Sequence, residues 1–324
     1  MSKARELANL GNAYSDGALS NRNLVINGAM QVAQRGTSFT ANGYGLDRWI
    51  FDRYLAGSSR TMSQDTDAPE GFSHSIKYAN GGVAEDQYYF IHKIERKNFE
   101  RLSGQTVTAS FYVKASEAIS DARWYLTVNG DGTGNDEVST GTYDITTSWQ
   151  RVTFTVTLGD FSGYTITDSG FMEMVPMLAA DPHPNIPANA SLWFTGVQLE
   201  VGDTATPFEH RSYGDELARC QRYYYQTALT SDYFETGGGS VAALTTGDIT
   251  FWGRFPVEMR AAPSFTAYDR AGNVGKCSRL HNGIAWYDNQ AVTTVSWSKG
   301  YLYASASGAN ANNAAIHYKA DAEL

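Results

Sequence analysis

Apolar and polar residues alternate singly along much of the chain, the period of a strand with one buried face. Val107–Lys114, Arg123–Val128 and Trp149–Leu158 carry this pattern, and Ser191–Glu200 repeats it. Leu24–Ile26 and Trp49–Phe51 read as shorter apolar strands. Phe171–Met177 reads as a strand whose Pro176 belongs near an edge or an end, because proline donates nothing to a ladder. Turn residues punctuate the pattern, as in the Gly-rich run Asn129–Glu137. About eight or more short strands with no helical pattern between them predict a sandwich or jelly roll over 23–211.

Two segments break the β pattern. Residues 1–13 space Ala4, Leu7, Ala8 and Leu10 as a short helix does, and 14–22 read as a linker. Over 212–226, Ser212 is placed to cap, Glu216 sits in the first turn, and Leu217, Cys220, Gln221 and Tyr224 fall on one face. A connecting helix is predicted there. Residues 227–324 alternate again at Ile249–Trp252, Ser264–Tyr268, Gly283–Tyr287, Thr293–Trp297 and Tyr301–Ala304, which predicts a smaller C-terminal β-sandwich. The fold class expected is all-β: a jelly-roll β-sandwich and a smaller C-terminal β-sandwich domain, with a short N-terminal helix and a helical connector.

The 324 residues suit two domains, and 42% hydrophobic residues are enough to fill their cores. Trp49, Trp149 and Trp193 lie inside strand patterns and are expected in the core. A net charge of −9 and the lack of a basic stripe argue against nucleic acid. The densest basic stretch, His92–Lys97, is diluted by Glu95 and reads as a solvated loop. Two cysteines, Cys220 and Cys277, form no disulfide framework and read as buried free thiols. No stretch approaches the roughly 20 apolar residues of a membrane span. The start of the chain is polar, which predicts synthesis in a cytoplasm and exit by a route such as lysis.

Three blocks carry a resemblance. They are Asn23–Gly36 (NLVINGAMQVAQRG) with Asp47-Arg48-Trp49, then Phe194–Gly202 (FTGVQLEVG) leading into Ala205–Glu209 (ATPFE), and Tyr213–Tyr224 (YGDELARCQRYY). Together they resemble tail-fibre and virion-decoration proteins of tailed bacteriophages. Phe255–Pro263 and the ending Ala320–Leu324 resemble the C-terminal domain that often follows in such proteins. Gly104–Ala115 and Trp149–Phe154 are similar to the jelly rolls of cellulase-type (CenC-type) carbohydrate-binding modules. The resemblance implies a homotrimeric, non-catalytic protein on the virion surface, on tail or capsid, contacting other phage proteins and host surface glycans. A head fibre or capsid decoration protein without strong glycan binding is one alternative. A surface polysaccharide depolymerase is another.

Catalysis finds little support in the residues. Asp131, Asp136 and Glu137 are close, but turn chemistry accounts for acidic residues in a Gly-rich loop. The same loop is the one place suggested for a structural calcium; no other cofactor or metal is expected. Sugar sites pair flat aromatic faces with amides and carboxylates that read hydroxyls. Trp286, Tyr287, Asp288 and Asn289 offer that mix in the second domain, with Gln87 and Tyr88 in the first. Leu7, Leu10 and Tyr14 are the expected virion-anchoring residues, with the second domain distal.

Overall fold

The computed structural model describes residues 21–53, 60–82, 88–129, 135–179, 186–227, 241–245, 248–281, 285–307 and 311–324. The proposed anchor residues Leu7, Leu10 and Tyr14, and Gln87, lie outside them. The chain divides into two compact units, Met1–Tyr213 with Leu324, and Gly214–Glu323. Both are β-sandwiches in which every strand pairing among the described residues is antiparallel.

In the first unit one six-stranded sheet runs β1 (Ser38–Phe39), β4 (Thr61–Asp65), β5 (Ser75–Ala79), β12 (Ser191–Val201), β7 (Thr106–Ala115) and β10 (Gln150–Thr157). The other runs β2 (Gly43–Tyr44), β3 (Trp49–Arg53), β6 (Tyr88–Glu95), β11 (Phe171–Ala179), β8 (Ile119–Asn129) and β9 (Asn135–Ile145). This is the expected jelly-roll sandwich. Its single core takes alternate residues from both sheets, among them Trp49, Phe51, Tyr78, Phe90, Phe111, Trp124, Met174 and Phe194. Rings interlock across the layers: Trp124 stacks on Phe154 at 4.3 Å, and Phe90 meets Phe194 at 5.5 Å.

Several expectations are corrected. His92–Glu95 is no solvated loop but the end of β6, with His92 fully buried, and Arg96–Phe99 continues as a four-residue helix. Hydrophobic neighbours at Phe90, Ile91 and Ile94 outweigh the charges there. Strand β11 is interior, paired on both sides, and Pro176 is accommodated by bulges in both ladders rather than by an edge. Residues 24–26 form no strand. Asn135–Glu137 begin β9 rather than ending a turn; Asp131 and the calcium loop at 130–134 fall outside the described residues. Trp149 and Trp193 are half-buried on the outer face of the first sheet, whereas Trp49 is core.

Two of the blocks that carry the sequence resemblance, 23–36 with 47–49 and 194–209, meet in one buried network. Asn27, in the left-handed region, donates to the carbonyls of Val32 and Asp47, accepts from the Val32 amide, and takes the Trp49 indole N–H on its own carbonyl. Asn23 Oδ1 accepts the amides of Val25 and Leu199, and its Nδ2 donates to the Val197 carbonyl. His92 Nε2 lies 3.1 Å from the Ile26 amide. Burial first, then the guanidiniums of Arg48 and Arg211, push its imidazole well below the usual histidine pKa. The segment 202–211 folds back over the outer face of the first sheet. There Glu200, 2% exposed, accepts Thr206 N–H (2.9 Å), Thr206 Oγ1 (2.6 Å) and Gln198 Nε2 (2.8 Å), and pairs with Arg22 at 3.6 Å. Glu200→Ala strands these donors. The expected cost is about 2–3 kcal/mol, read from urea unfolding; a change under about 0.5 kcal/mol would refute the network's role.

The second unit packs a three-stranded sheet, β13 (Tyr224–Gln226), β21 (His317–Asp321) and β16 (Ser264–Tyr268), with a six-stranded one. The latter runs β14 (Val241–Thr245), β15 (Asp248–Arg254), β19 (Tyr301–Ser307), β18 (Ala285–Trp297), β17 (Lys276–His281) and β20 (Ala311–Ala315). Tyr225, Tyr318 and Ala320 of the small sheet bury against Phe255, Met259 and Leu302. The expected connector is a nine-residue helix, Tyr213–Gln221, followed by a strand where 224–226 were read as helix. Tyr224-Tyr225 favours strand, and its ladder with β21 settles the choice. Of the expected strands 283–287 and 293–297, residues 285–287 and 293–297 belong to one strand, β18, in which Asn289 has φ 65°. Cys220 and Cys277 are free and buried; burial, chiefly, raises the Cys277 thiol to about 11. Among the described residues, no helix is long and apolar enough to cross a membrane.

Candidate functional site

The outer face of the second sheet of the first unit departs from the polar surface that a two-layer sandwich usually presents. With Phe90, His92, Met174 and Trp124 turned into the core, the alternate residues of β3, β6, β11 and β8 face outward. Register places Ile50 opposite Ile91, and Val175 opposite Tyr125. Ile91 and Val175 pack together under Ile50, Tyr89 and Tyr125. Val175 is 0% exposed and Ile91 8%, while the tyrosines are half-buried. The result is an apolar row across four strands, roughly 14 Å long at three inter-strand spacings.

Two residues further along the strands the row turns polar. Glu173 is paired in register with Lys93 on one side and Thr127 on the other. Lys93 Nζ stands 3.9 Å from Glu173 Oε1 and 3.9 Å from the centre of the Phe171 ring, and Thr127 Oγ1 reaches Glu173 Oε2 at 3.5 Å. Arg123 flanks the apolar row on the other side, two residues before Tyr125 on β8. Glu173, 6% exposed, and Thr127, 4% exposed, are buried, and Lys93 Nζ also donates to the Leu324 carbonyl at 3.4 Å, so what this face presents is the half-buried rings Tyr89 and Tyr125 with Ile50.

The outer face of the first sheet differs. Its row is Lys77–Trp193–Lys114, each residue opposite the next. The two ammonium groups lie over the Trp193 ring at 5.0 and 4.8 Å, and Lys114 also lies over Trp149 at 5.4 Å. Asp67 accepts the Trp149 indole N–H at 3.1 Å and binds Lys114, which holds its carboxyl below the usual range. These indoles are engaged in fastening the loop that follows β4, and the segment 202–211 covers the rest of the face.

Of the residues singled out by sequence, Tyr88 begins β6, and its side chain lies outside the described part, as does that of Trp286. Tyr287 is 46% exposed. Asp288 accepts Ser278 Oγ at 2.5 Å, and the Asn289 amide donates to Asp269 at 2.6 Å. Burial works to raise the Asp269 carboxyl, but donors from Asn273, Asn289 and Ala271 hold it lower than usual. Asp288 and Asn289 are therefore tied into the Asp269–Gly275 loop. Trp286–Asn289 and Tyr88 belong to different units. Sequence reading missed Tyr125, Lys93 and Glu173. Their signal was the apolar or aromatic residue at the solvent-facing parity of β6, β8 and β11.

No protein-family model matches the chain, and no curated protein matches it. Among solved structures, it is similar to a carbohydrate-binding module described as "CBM4 structure and function", at 18% identity over 55% of this chain and 99% of that one, with a TM-score of 0.35. The CBM22-1 xylan-binding domain of Paenibacillus barcinonensis Xyn10C matches at 14% identity over 52% and 94%, with a TM-score of 0.30. The enzymatically active domain of bacteriophage CBA120 tailspike protein 4 matches at 13% identity over 56% of this chain but only 22% of the tailspike, with a TM-score of 0.34.

Proposed function

We propose that this protein is a non-catalytic structural component of a tailed-phage particle, a homotrimeric fibre or tail-tip subunit, whose first unit binds host surface glycans. The observation that carries glycan binding is the pair of half-buried rings Tyr89 and Tyr125, with Ile50, on an outer sheet face. Rings that keep part of their surface on such a face can pack on the apolar face of a sugar. The virion assignment is supported by the sequence blocks at 23–36, 194–209 and 213–224. This reading moves the sugar site from the second unit to the first.

The test is titration of full-length protein with purified host surface polysaccharide. Tyr125→Ala is expected to weaken binding at least tenfold with the thermal midpoint shifted by only a few degrees, because the ring lies outside the main core. Trp193→Ala, on the opposite sheet, is expected to leave affinity unchanged. The reverse outcome would move the site to the first sheet, and no binding by the wild-type protein would remove the glycan reading.

A further inference from the structure

We infer that two copies of this chain join edge to edge through β10, pairing Thr153 of one with Thr155 of the other about a two-fold axis. Among the described residues, the two sheets of the first unit end in β1, β10, β2 and β9, and three of these edges are blunted. β1 and β2 are each 2 residues long. The ladder of β9 with β8 is broken by register shifts, and β9 carries Asp144 near its end. Short strands, bulges and charge are the means by which a sheet edge is kept from pairing with another chain. β10 has none of them. Its 8 residues, QRVTFTVT, include no proline, glycine, lysine or acid, and its register with β7 runs unbroken from Gln150 to Thr157.

Hydrogen bonds at the end of the ladder fix which groups of β10 face outward. The Leu158 amide donates to the Gln105 carbonyl at 2.9 Å, and the Gly202 amide donates to the Thr106 carbonyl at 2.9 Å from the other side of β7. Bonding alternates along an antiparallel strand. Val152, Phe154 and Val156 therefore bond to β7, while Arg151, Thr153, Thr155 and Thr157 turn their N–H and C=O groups away from it. β10 ends its sheet on that side, and Thr153, Thr155 and Thr157 are exposed. The strand's own sequence points to the occupant. Residues 152–156 read Val-Thr-Phe-Thr-Val, the same in both directions. Antiparallel pairing of β10 with its copy, centred on Phe154, sets Thr153 opposite Thr155 and Arg151 opposite Thr157. Every outward backbone group of the strand then has a partner. On the face packed against the core, Phe154 meets its copy and Val152 meets Val156, and no like charges oppose each other. Such self-complementarity is what a two-fold contact requires. A two-fold contact does not close a trimer, so in the particle it joins a subunit of one proposed trimer to a subunit of the next.

The experiment is sedimentation equilibrium of full-length protein from about 1 to 200 μM, because a contact of one strand pair is small and associates in the micromolar range. The wild-type protein is expected to gather as an even number of chains: six where the trimer stands, two where it does not. Thr155→Pro removes an N–H that faces away from β7, so the sandwich loses no ladder bond. Thr153→Lys combined with Thr155→Lys keeps the backbone and sets like charges opposite each other across the axis. Each variant is expected to halve the mass at the highest concentration, with the thermal midpoint within a few degrees of wild type. Where the proline variant unfolds, the lysine pair decides. A fall from six chains to three supports both the contact and the trimer. A fall from two to one supports the contact and removes the trimer. Three chains in the wild type at every concentration overturn the contact and leave the trimer standing, and a single chain throughout overturns both. An even assembly that the lysine pair leaves intact also overturns the contact.

Discussion

Gly28→Ala is expected to destabilise the first unit by about 3 kcal/mol. A Cβ built on Gly28 would stand 2.2 Å from the Val197 carbonyl oxygen, inside any permitted contact, and 3.4 Å from Asn23 Nδ2. Neither neighbour is free to yield. The Val197 carbonyl accepts from Asn23, and the Val197 amide donates to the Gly28 carbonyl at 3.0 Å. Backbone is thus pressed against backbone, and relief requires parting residues 23–28 from β12. For a unit of this size the midpoint of thermal unfolding should fall by roughly 6–12 °C. A control, Gly71→Ala, meets no atom within 4 Å but has φ +89°, so its cost is backbone strain alone, about 1 kcal/mol. Equal losses in the two variants would show that close approach is not what Gly28 provides.

The second large effect is acid sensitivity through His92. Its folded pKa is depressed, by burial first and then by Arg48 and Arg211, while in the unfolded chain it titrates near 6.5. The unfolded state therefore binds a proton that the folded state refuses. Its contribution to stability is intact above about pH 6.5 and declines as the pH falls below that, by up to about 1.4 kcal/mol per pH unit. The loss grows as the pH falls, until the folded pKa is reached. Asp67 and Asp160, whose carboxyls are held low, add to the decline only near and below their ordinary 3.8. Asp47, raised chiefly by burial, acts in the opposite sense as it protonates. Urea unfolding of wild type and His92→Gln at half-unit steps of pH separates these contributions. The variant should be less stable at pH 8 and should show a flatter profile between 6.5 and 4.5. Parallel profiles would mean that His92 is not the group responsible.

The strands of the first unit were legible because each buries one face, and single alternation reports that directly. What alternation does not report is which side of a sheet is covered. Trp149 and Trp193 have the residue type of a core and the parity of a surface, so they were placed inside. The structure assigns that parity through the ladder pairing Trp193 with Lys114 and Lys77. The same ambiguity hid the candidate site. Tyr125 and Val175 belong to strands that read correctly, but their meeting depends on non-local register between β8 and β11, which no local pattern contains. Asp288-Asn289 read as ligand groups at a strand end, whereas Ser278 and Asp269 from other elements absorb them within one long strand. The blocks that resemble phage proteins were visible as strings. Their physical role, a network joining residues 23–34 to Asp47 and to β12, appears only when the chain is folded.

That network also joins the beginning of the first unit to its end. Glu209 takes the amides of Asn21 and Asn23, and Arg211 binds the carbonyls of Asn23 and Val25. Tension applied between residues 21 and 212 therefore runs straight across this clasp. The twelve strands of the sandwich stay outside the load path until the clasp parts. A chain pulled in this way would first pay out the short segments 21–26 and 207–211, and both sheets would keep their shape while it did so.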